Sequence, residues 1–407
     1  MRMMLVGAGA VGESMLKILK WRDPKGEWLS YVLVGDYDAS RAQEVVDLLA
    51  DERFSYAQIN ATDKEQMKDL IQEHKIDFVM DAAPPFASNY IFDAAYEAGA
   101  NYANMGTWSV PMEEPAYGLG IENSYTEPMT KYNFDRHEQW KKKGQMAVIC
   151  LGIDPGVVNV FAKYAATHLF DKMTEAHVKD GGNLSVPGAD PDAIQFGFNV
   201  WTVLDEVMNP NVEYDQEKGG LIVEKAFAGQ ETFLMPDGVG ENTLVKVEHG
   251  LKKATFKISL DDNLITALKV IDHLGLRSLK PVQVGNVKVV PRDVVAACAP
   301  QPKDIGTEMI GEMLVGVHCI GEKDGARKEY FLYQNFDNQA SMARWGSQAV
   351  VAQTGFGAAL AIELIGREIW KEAGVFSPEY FDPEPYLKLM DETGYEWHVM
   401  ELPVKEK

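Results

Sequence analysis

Three glycines near the start of the chain lie between a strand-like run and a helical pattern. Gly7, Gly9 and Gly12 form a G-x-G-x-x-G sequence directly after the apolar residues 3–6. Glycines at these places allow a tight turn, a close approach of the backbone to a pyrophosphate, and close packing of a helix against a strand. The helix N-terminus that follows offers N–H groups and a partial positive charge to phosphates. The spacing therefore predicts a dinucleotide-binding loop, provided that a second element supports it.

A carboxylate at the end of the next strand-like run supplies that second element. Asp36 follows residues 31–35 and lies 24 positions after Gly12. In a first βαβ unit, such an acid hydrogen-bonds the adenosine ribose hydroxyls and repels a 2′-phosphate, which favours NAD. The alternative is that Asp36 is a loop residue in an acidic run. Arg41 leaves NADP open as well, because a nearby arginine accommodates the 2′-phosphate.

Two titratable residues farther along the chain are candidates for chemistry on a substrate. Asp154 lies in an Asp-Pro-Gly turn after an apolar run. Its carboxylate could bind a substrate ammonium and stabilise an iminium, and an ordinary Asx turn is the alternative. His249 follows a strand-like run, and a histidine can donate a proton near neutral pH. A lone histidine is more often structural, so both interpretations of His249 stay open.

Three more side chains are candidates for contacts with a substrate. Arg344 and Gln348 are one helical turn apart, and a guanidinium there could bind a substrate carboxylate bidentately. Helix-surface or domain packing is the alternative for this pair. Trp201 could line a substrate pocket, although an isolated tryptophan usually belongs to the core. No His, Cys or Asp cluster has metal-ligand spacing, so no metal is expected.

The elements that must position these residues alternate regularly in the first part of the chain. Strand-like and helix-like runs follow one another with short connections, which is typical of a Rossmann-type, doubly wound parallel α/β sheet. Ligands of such sheets bind beyond the carboxyl ends of the strands. The turns that follow the strands should therefore line one crevice, at residues 7–12, 36–38, 61–63, 82–85 and 104–107.

The alternation stops at residue 156, where a second domain is expected to begin. An amphipathic helix is predicted over residues 157–170, and strands with loops extend from there to residue 340. Helices are predicted at 262–274 and 293–299, so this part is expected to be an α+β domain. Residues 341–373 read as strongly helical.

Composition limits the partners and the compartment. The 407 residues carry a formal net charge of −22, which argues against nucleic acid as a partner because nucleic acids require a basic surface. No apolar run reaches the ~18 residues that a membrane span needs. The three cysteines form no C-x-x-C pair. We therefore expect a cytoplasmic protein with reduced thiols, no membrane segment and a small-molecule substrate.

Several motifs resemble those of the saccharopine dehydrogenase-like family. They are the N-terminal glycine loop, D-A-A-P at 81–84, G-I-D-P-G at 152–156 and G-S-Q-A at 346–349. Residues 370–376 and the D-P-E-P sequence at 382–385 look most like the carboxynorspermidine dehydrogenase branch. The resemblance covers essentially the whole chain.

This resemblance implies hydride transfer between a nicotinamide and a carbon–nitrogen bond of an amino acid or polyamine-type compound. It implies that residues 341–407 pack back onto residues 1–156, that residues 157–340 form an inserted substrate and dimerisation domain, and that the protein is a homodimer. It also implies cofactor contacts by Gly7, Gly9, Ala10, Val11, Asp36, Ala61, Thr62, Ala83, Pro84, Asn104, Met105, Ile153 and Pro155. Asn104 and Asp154 are the residues that the resemblance places at the substrate as well.

One segment departs from the family pattern. Saccharopine reductases hold a substrate carboxylate with an arginine in a Ser-Trp-Ser-x-Arg-like segment, whereas residues 196–203 contain Trp201 and no arginine. This argues against saccharopine itself, while the motifs at 370–376 and 382–385 favour a carboxynorspermidine-type substrate. Two alternatives stay open: a lysine 6-dehydrogenase-type amine oxidation, and a non-catalytic dinucleotide-binding sensor.

Overall fold

The computed structural model describes residues 1–108, 128–189, 194, 196–208, 211–224, 251–278, 280–300 and 305–404. Its strands are β1 (Arg2–Val6), β2 (Tyr31–Asp36), β3 (Phe54–Gln58), β4 (Phe78–Asp81), β5 (Asn101–Asn104), β6 (Met146–Val148), β7 (Lys172–Gly182), β8 (Asn211–Asp215), β9 (Gly220–Glu224), β10 (Lys253–Ile258), β11 (Val282–Val284), β12 (Val287–Val289), β13 (Glu312–Lys323), β14 (Ala326–Asp337), β15 (Gly374–Phe376) and β16 (His398–Glu401). Its α-helices are α1 (Ala10–Arg22), α2 (Ala39–Leu49), α3 (Lys64–Glu73), α4 (Ser88–Ala98), α5 (Lys131–Phe134), α6 (His137–Lys143), α7 (Val157–Tyr164), α8 (Val200–Met208), α9 (Asp262–His273), α10 (Pro291–Cys298), α11 (Asn338–Trp345), α12 (Ala349–Gly366) and α13 (Glu384–Thr393).

The first sheet contains seven parallel strands in the order β15-β6-β5-β4-β1-β2-β3. Its central strand β1 is apolar on both sides, because Met3 and Leu5 pack into the core that contains α1 and α12 while Met4 and Val6 pack into the core that contains α3 and α4. The predicted Rossmann-type α/β class is confirmed. The order of the strands reverses between β1 and β4, which is the place where sheets of this kind bind ligands.

The second sheet is mixed, in the order β16-β14-β13-β7-β10-β8-β9. Only β7 and β10 run parallel, and the other neighbours are antiparallel. β13 and β14 form a long hairpin of 12 residues on each side. One face of this sheet packs against α7 and α12, so the second sheet and the first share the core that surrounds these helices.

Helix α12 is the helix that joins the two sheets. Gly355 lies against Ser14 of α1, since a Cβ built there would be 3.0 Å from the Ser14 hydroxyl oxygen. Near the other end, Glu363 accepts two hydrogen bonds from the Arg22 guanidinium (2.6 and 2.8 Å). In length and composition α12 is the one helix among the described residues that could cross a membrane, but 83% of it is buried inside the protein. Its contacts are those of a core helix.

Several elements differ from the sequence-based expectation, including one helical stretch and two strands. The helical stretch 341–373 consists of two helices, because Gly346 adopts a φ of +64° and ends α11. β13 was not predicted: its glycines, such as Gly316 opposite Tyr333, obscure the strand pattern. Within 341–407, β15 joins the first sheet whereas β16 pairs with β14 of the second. β16 therefore differs from the expectation that residues 341–407 pack onto residues 1–156. The domain bounds stay a prediction.

Candidate active site

The turns at the carboxyl ends of the first sheet contact one another in sheet order. A Cβ built on Gly7 would lie 2.5 Å from the Ala82 carbonyl oxygen, so the glycine loop touches the turn that follows β4. A Cβ built on Gly106, after β5, would lie 3.3 Å from a ring carbon of Pro85. Gly152, after β6, in turn lies beside the turn that follows β5. The contacting turns form one continuous rim. This rim crosses the place between β1 and β4 where the order of the strands reverses.

The glycine loop has the shape that a bound dinucleotide requires. Gly7 adopts a φ of +107°, and a Cβ on Gly12 would lie 2.3 Å from the Gly7 carbonyl oxygen. A Cβ on Gly9, by contrast, would have no protein atom within 4 Å. Helix α1 begins immediately afterwards with Ala10 and Val11, and Gly9 gives it no side-chain cap. The N–H groups of its first turn are therefore available to a phosphate, and the loop fits the pyrophosphate of NAD(P).

Asp36 and Arg41 both face this loop. The carboxylate of Asp36 accepts hydrogen bonds from the backbone N–H groups of Ala8 (2.8 Å) and Asp38 (3.0 Å), and it is half-buried. Arg41 donates to the Ala8 carbonyl oxygen (2.9 Å) and forms an ion pair with Glu13. The acid thus lies where a ribose-binding residue belongs, and the guanidinium that would favour a 2′-phosphate already has a carboxylate partner.

The remaining predicted cofactor residues of this sheet lie at strand ends. Thr62, next to Ala61 in the turn after β3, donates from its hydroxyl to Asn60 (2.9 Å). Ala83 and Pro84 form the turn after β4 that abuts the glycine loop. Their contacts with a cofactor stay a prediction.

A buried chain of hydrogen bonds links the turns that follow β4, β5 and β6. The Tyr102 hydroxyl donates to Asp81 (2.8 Å) and accepts from the Asn104 amide (3.0 Å). Asp81 also accepts from the Ala83 N–H (2.9 Å), and Asn104 accepts from the Cys150 N–H (2.8 Å). Burial raises the pKa of Asp81 to about 6 and that of Tyr102 well above its ordinary value. The network fixes three turns of the rim relative to one another.

Asn104 belongs to this network. Its side chain is fully buried, and both ends bind protein groups. It thereby fixes the turn that begins at Cys150, and its contact with cofactor and substrate stays a prediction. Met105, the next residue, lies at the rim, 3.7 Å from a Cβ built on Gly152. Sequence reasoning missed Tyr102, and its only signal was a polar aromatic residue in an otherwise buried strand.

We expect Tyr102→Phe to lower the free energy of unfolding by about 1–3 kcal/mol, because Asp81 and Asn104 would each lose a buried hydrogen-bond partner. Urea unfolding measures the change. Tyr132→Phe is a matched control, since the Tyr132 hydroxyl donates to the half-buried Asp93 (3.0 Å) and water can replace that contact. Equal losses for the two variants would contradict the special role of the Tyr102 network.

A second buried network of hydrogen bonds fixes the turn that carries Asp154. The N–H of Gly156 donates to Asn159 (3.0 Å), and the Asn159 amide donates to Glu379 (2.9 Å). Glu379 is completely buried, and this burial raises its pKa. The Asp154–Pro155 peptide bond is cis. Asp154 itself is half-buried, at the carboxyl end of β6.

The same turn rests on helix α12. A Cβ built on Gly357 would be 2.4 Å from the Gly152 carbonyl oxygen, and Thr354 lies against Gly152. Ile153 is buried, with 4% of its surface exposed. Burial raises the pKa of Tyr395, and the nearby Tyr386 and Asp154 add to this effect. The backbone around Asp154 is thus fixed by contacts on several sides.

Of the other predicted substrate residues, Arg344 and Gln348 have described side chains. Arg344 stacks on Trp345, with 4.7 Å from the guanidinium carbon to the ring centroid, and donates to the Thr393 carbonyl oxygen (3.1 Å) at the end of α13. A contact of Arg344 with a substrate stays a prediction. Gln348 is buried at the start of α12 against Gly306. Trp201 lies in α8, and its side chain is not described. His249 lies outside the described residues.

Among the residues that the structure describes, no group of three or more His, Cys, Asp or Glu side chains could hold a metal ion. The described groups of the rim are a glycine loop, the Asp36 carboxylate at the end of β2 and the Asp154 carboxylate on a fixed turn.

Family models match the chain along most of its length. The saccharopine dehydrogenase NADP binding domain matches residues 3–148, and the saccharopine dehydrogenase C-terminal domain matches residues 152–395. The boundary between the two models falls at the turn before Asp154.

Two curated relatives align with nearly the whole chain. A carboxyaminopropylagmatine dehydrogenase from Synechocystis is 27% identical over 98% of this chain and 97% of its own length. A carboxynorspermidine synthase from Vibrio cholerae is 26% identical over 99% of this chain and 97% of its own length. Among solved structures, the apo saccharopine dehydrogenase (L-Glu forming) from Saccharomyces cerevisiae superposes with a TM-score of 0.65 at 14% identity, covering 99% of this chain and 100% of that one.

Proposed function

The chain belongs to the saccharopine dehydrogenase family, and we propose that its substrate is a polyamine-type compound that carries a carboxyl group, of the carboxynorspermidine kind. It is an NAD(P)-dependent oxidoreductase that acts on a carbon–nitrogen bond. Relatives named for carboxylated polyamines, aligned end to end, support this substrate class. The absence of an arginine in residues 196–203 argues against saccharopine as the substrate.

Each part of the rim has a role in this proposal. The dinucleotide, when bound, supplies or accepts the hydride. The loop from Gly7 to Gly12 binds its pyrophosphate, and Asp36 binds its adenosine ribose. Asp154 binds the nitrogen of the reacting bond, because a carboxylate on a rigid turn stabilises positive charge that develops there. The observation that carries the assignment is the continuous rim, which joins the glycine loop to the turn of Asp154.

The proposal is tested by following the absorbance of the reduced nicotinamide with a panel that contains carboxynorspermidine, saccharopine and lysine. Turnover of carboxynorspermidine above the other two is the expected result. Oxidation of lysine alone would indicate a lysine 6-dehydrogenase-type enzyme instead. Cofactor binding without turnover of any amine would indicate a dinucleotide-binding sensor.

We propose NAD as the preferred cofactor, and Asp36→Asn is expected to shift the preference towards NADP by about tenfold. Asparagine keeps an oxygen for the Ala8 N–H but removes the charge that repels a 2′-phosphate. The ratio of the dissociation constants for NADH and NADPH measures the shift. Asp38→Asn is the control, because Asp38 caps α2 and asparagine preserves such a cap. An unchanged ratio in the Asp36 variant would contradict the role of Asp36.

A cytoplasmic location and a homodimer are further parts of the proposal. All three cysteines are free thiols, in agreement with a reducing compartment. The face of the second sheet opposite α12 carries Phe331 and Tyr333, half-buried and stacked at 5.2 Å between ring centroids. Aromatic side chains of this kind suit a contact with a second copy. Light scattering on the full chain tests the dimer, and a monomer mass would contradict it.

A further inference from the structure

One carboxylate of the second sheet faces the core instead of solvent. The register of the strands places Gln334 of β14, Val315 of β13, Asp180 of β7 and Ile258 of β10 in a single cross-strand row. Residues that are paired in this way share a face of the sheet. Gln334 is fully buried and binds Gln353 of α12. The row that contains Asp180 therefore lies on the face that packs against α12.

This row lies at the end of the second sheet nearest the rim. Gln353 is followed by Thr354, whose methyl carbon is 3.3 Å from a Cβ built on Gly152, and then by Gly355, which contacts α1 close to the glycine loop. Asp180 is close to the carboxyl end of β7, between the start of β13 on one side and the end of β10 on the other. The core face that contains Asp180 is therefore connected through α12 to the turns that would bind the dinucleotide.

Asp180 forms no ion pair with the residues that the structure describes, and burial is the cause of its raised pKa. Its Oδ1 atom is buried and has no hydrogen-bond partner there, although the residue as a whole keeps some exposure. The row neighbours Val315, Ile258 and Gln334 do not titrate, and neither does Gln353 on α12. The lysines of these strands, Lys179 and Lys257, alternate to the opposite face, where Lys257 pairs with Glu213. Burial raises the pKa of Asp180 to about 7.

A buried carboxylate without a partner is costly, and a cation placed beside it removes much of that cost. The proposed substrate class contains more than one amine, and the nitrogen distant from the reacting bond is positively charged at neutral pH. We propose that Asp180 binds this distant ammonium group and so selects diamine-type substrates over monoamines, while Asp154 binds the reacting nitrogen. The inference rests on the proposed function and adds to it a residue that determines specificity.

Calorimetric titration of the NAD(P)-saturated enzyme with 1,3-diaminopropane and with n-propylamine tests the inference. We expect the wild type to bind the diamine about tenfold or more tightly, because only the diamine can place a second charge at Asp180. D180N should lose this preference. D171N is the matched control: Asp171 immediately precedes β7 at its other end, where Lys323 pairs with it (2.8 Å), and the preference should persist in that variant.

The pH dependence gives a second readout. Because the ionised carboxylate binds the cation, diamine affinity should fall about tenfold as the pH falls from about 8 to about 6 in the wild type, and D180N should remove this dependence. D180A replaces D180N if the latter does not fold, as judged by its thermal unfolding. Retained diamine preference in a folded Asp180 variant overturns the inference. The enzyme could show the diamine preference that depends on Asp180 and still turn over no amine of the panel. That result would count against the proposed function but not against this inference.

Discussion

Replacing Gly9 by alanine is expected to weaken cofactor binding strongly while the fold stays intact. Gly9 has a φ of −65° and a ψ of −175°, which alanine adopts without strain, and its Cβ would meet no protein atom within 4 Å. The methyl group would project into the space that the pyrophosphate needs. We expect the dissociation constant for NAD(P)H to rise by about 100-fold, equivalent to about 2.7 kcal/mol. The thermal midpoint without cofactor should change little.

Thermal unfolding with and without NAD(P)H separates these two effects. The wild type should gain stability in proportion to the logarithm of cofactor concentration, and Gly9→Ala should gain almost none. Gly12→Ala is the contrasting variant, because its Cβ would lie 2.3 Å from the Gly7 carbonyl oxygen and the loop itself must shift. It should unfold at a lower temperature even without cofactor. If Gly9→Ala bound the cofactor as tightly as the wild type, the proposed role of the loop in cofactor binding would be wrong.

The first sheet and its glycine loop could be predicted because their signals are local. Apolar runs such as residues 3–6, short connections and glycines at fixed spacing reflect constraints that neighbouring residues impose on one another. Asp36 could be predicted from a local signal as well, since its position at the end of β2 follows from strand length alone. The outcome for Gly12 shows why the pattern is informative: a side chain there would collide with backbone only five residues away.

What escaped prediction depends on pairing between distant segments. The Tyr102 network joins residues that lie far apart in the sequence, and nothing in the local pattern of β5 indicates which groups its polar side chains meet. Asp180 resembles an ordinary strand residue until the register with β13 and β14 places it on the core face. β16 was missed for the same reason, because only its pairing with β14 makes it a strand. Long-range register is a property of the fold, not of any short window.

Gly156→Ala is expected to destabilise the protein by about 3 kcal/mol or more. Gly156 adopts a φ of +145°, a conformation that alanine resists, and its Cβ would lie 1.9 Å from the Gly152 carbonyl oxygen. The turn of Asp154 would have to open, and its hydrogen bond to Asn159 would be lost with it. Since α12 packs on the same turn, the loss should appear as a lower urea midpoint as well as a loss of turnover.

Gly144→Ala is the control that separates backbone strain from collision. Gly144 also has a positive φ, of +71°, at the end of α6, but its Cβ would meet no protein atom within 4 Å. Alanine there should cost only about 1–2 kcal/mol, the ordinary penalty of a left-handed residue. The difference between the two variants measures how tightly the turn of Asp154 is closed. Similar losses would mean that this turn can relax around a side chain, and a rigid placement of Asp154 would then be untenable.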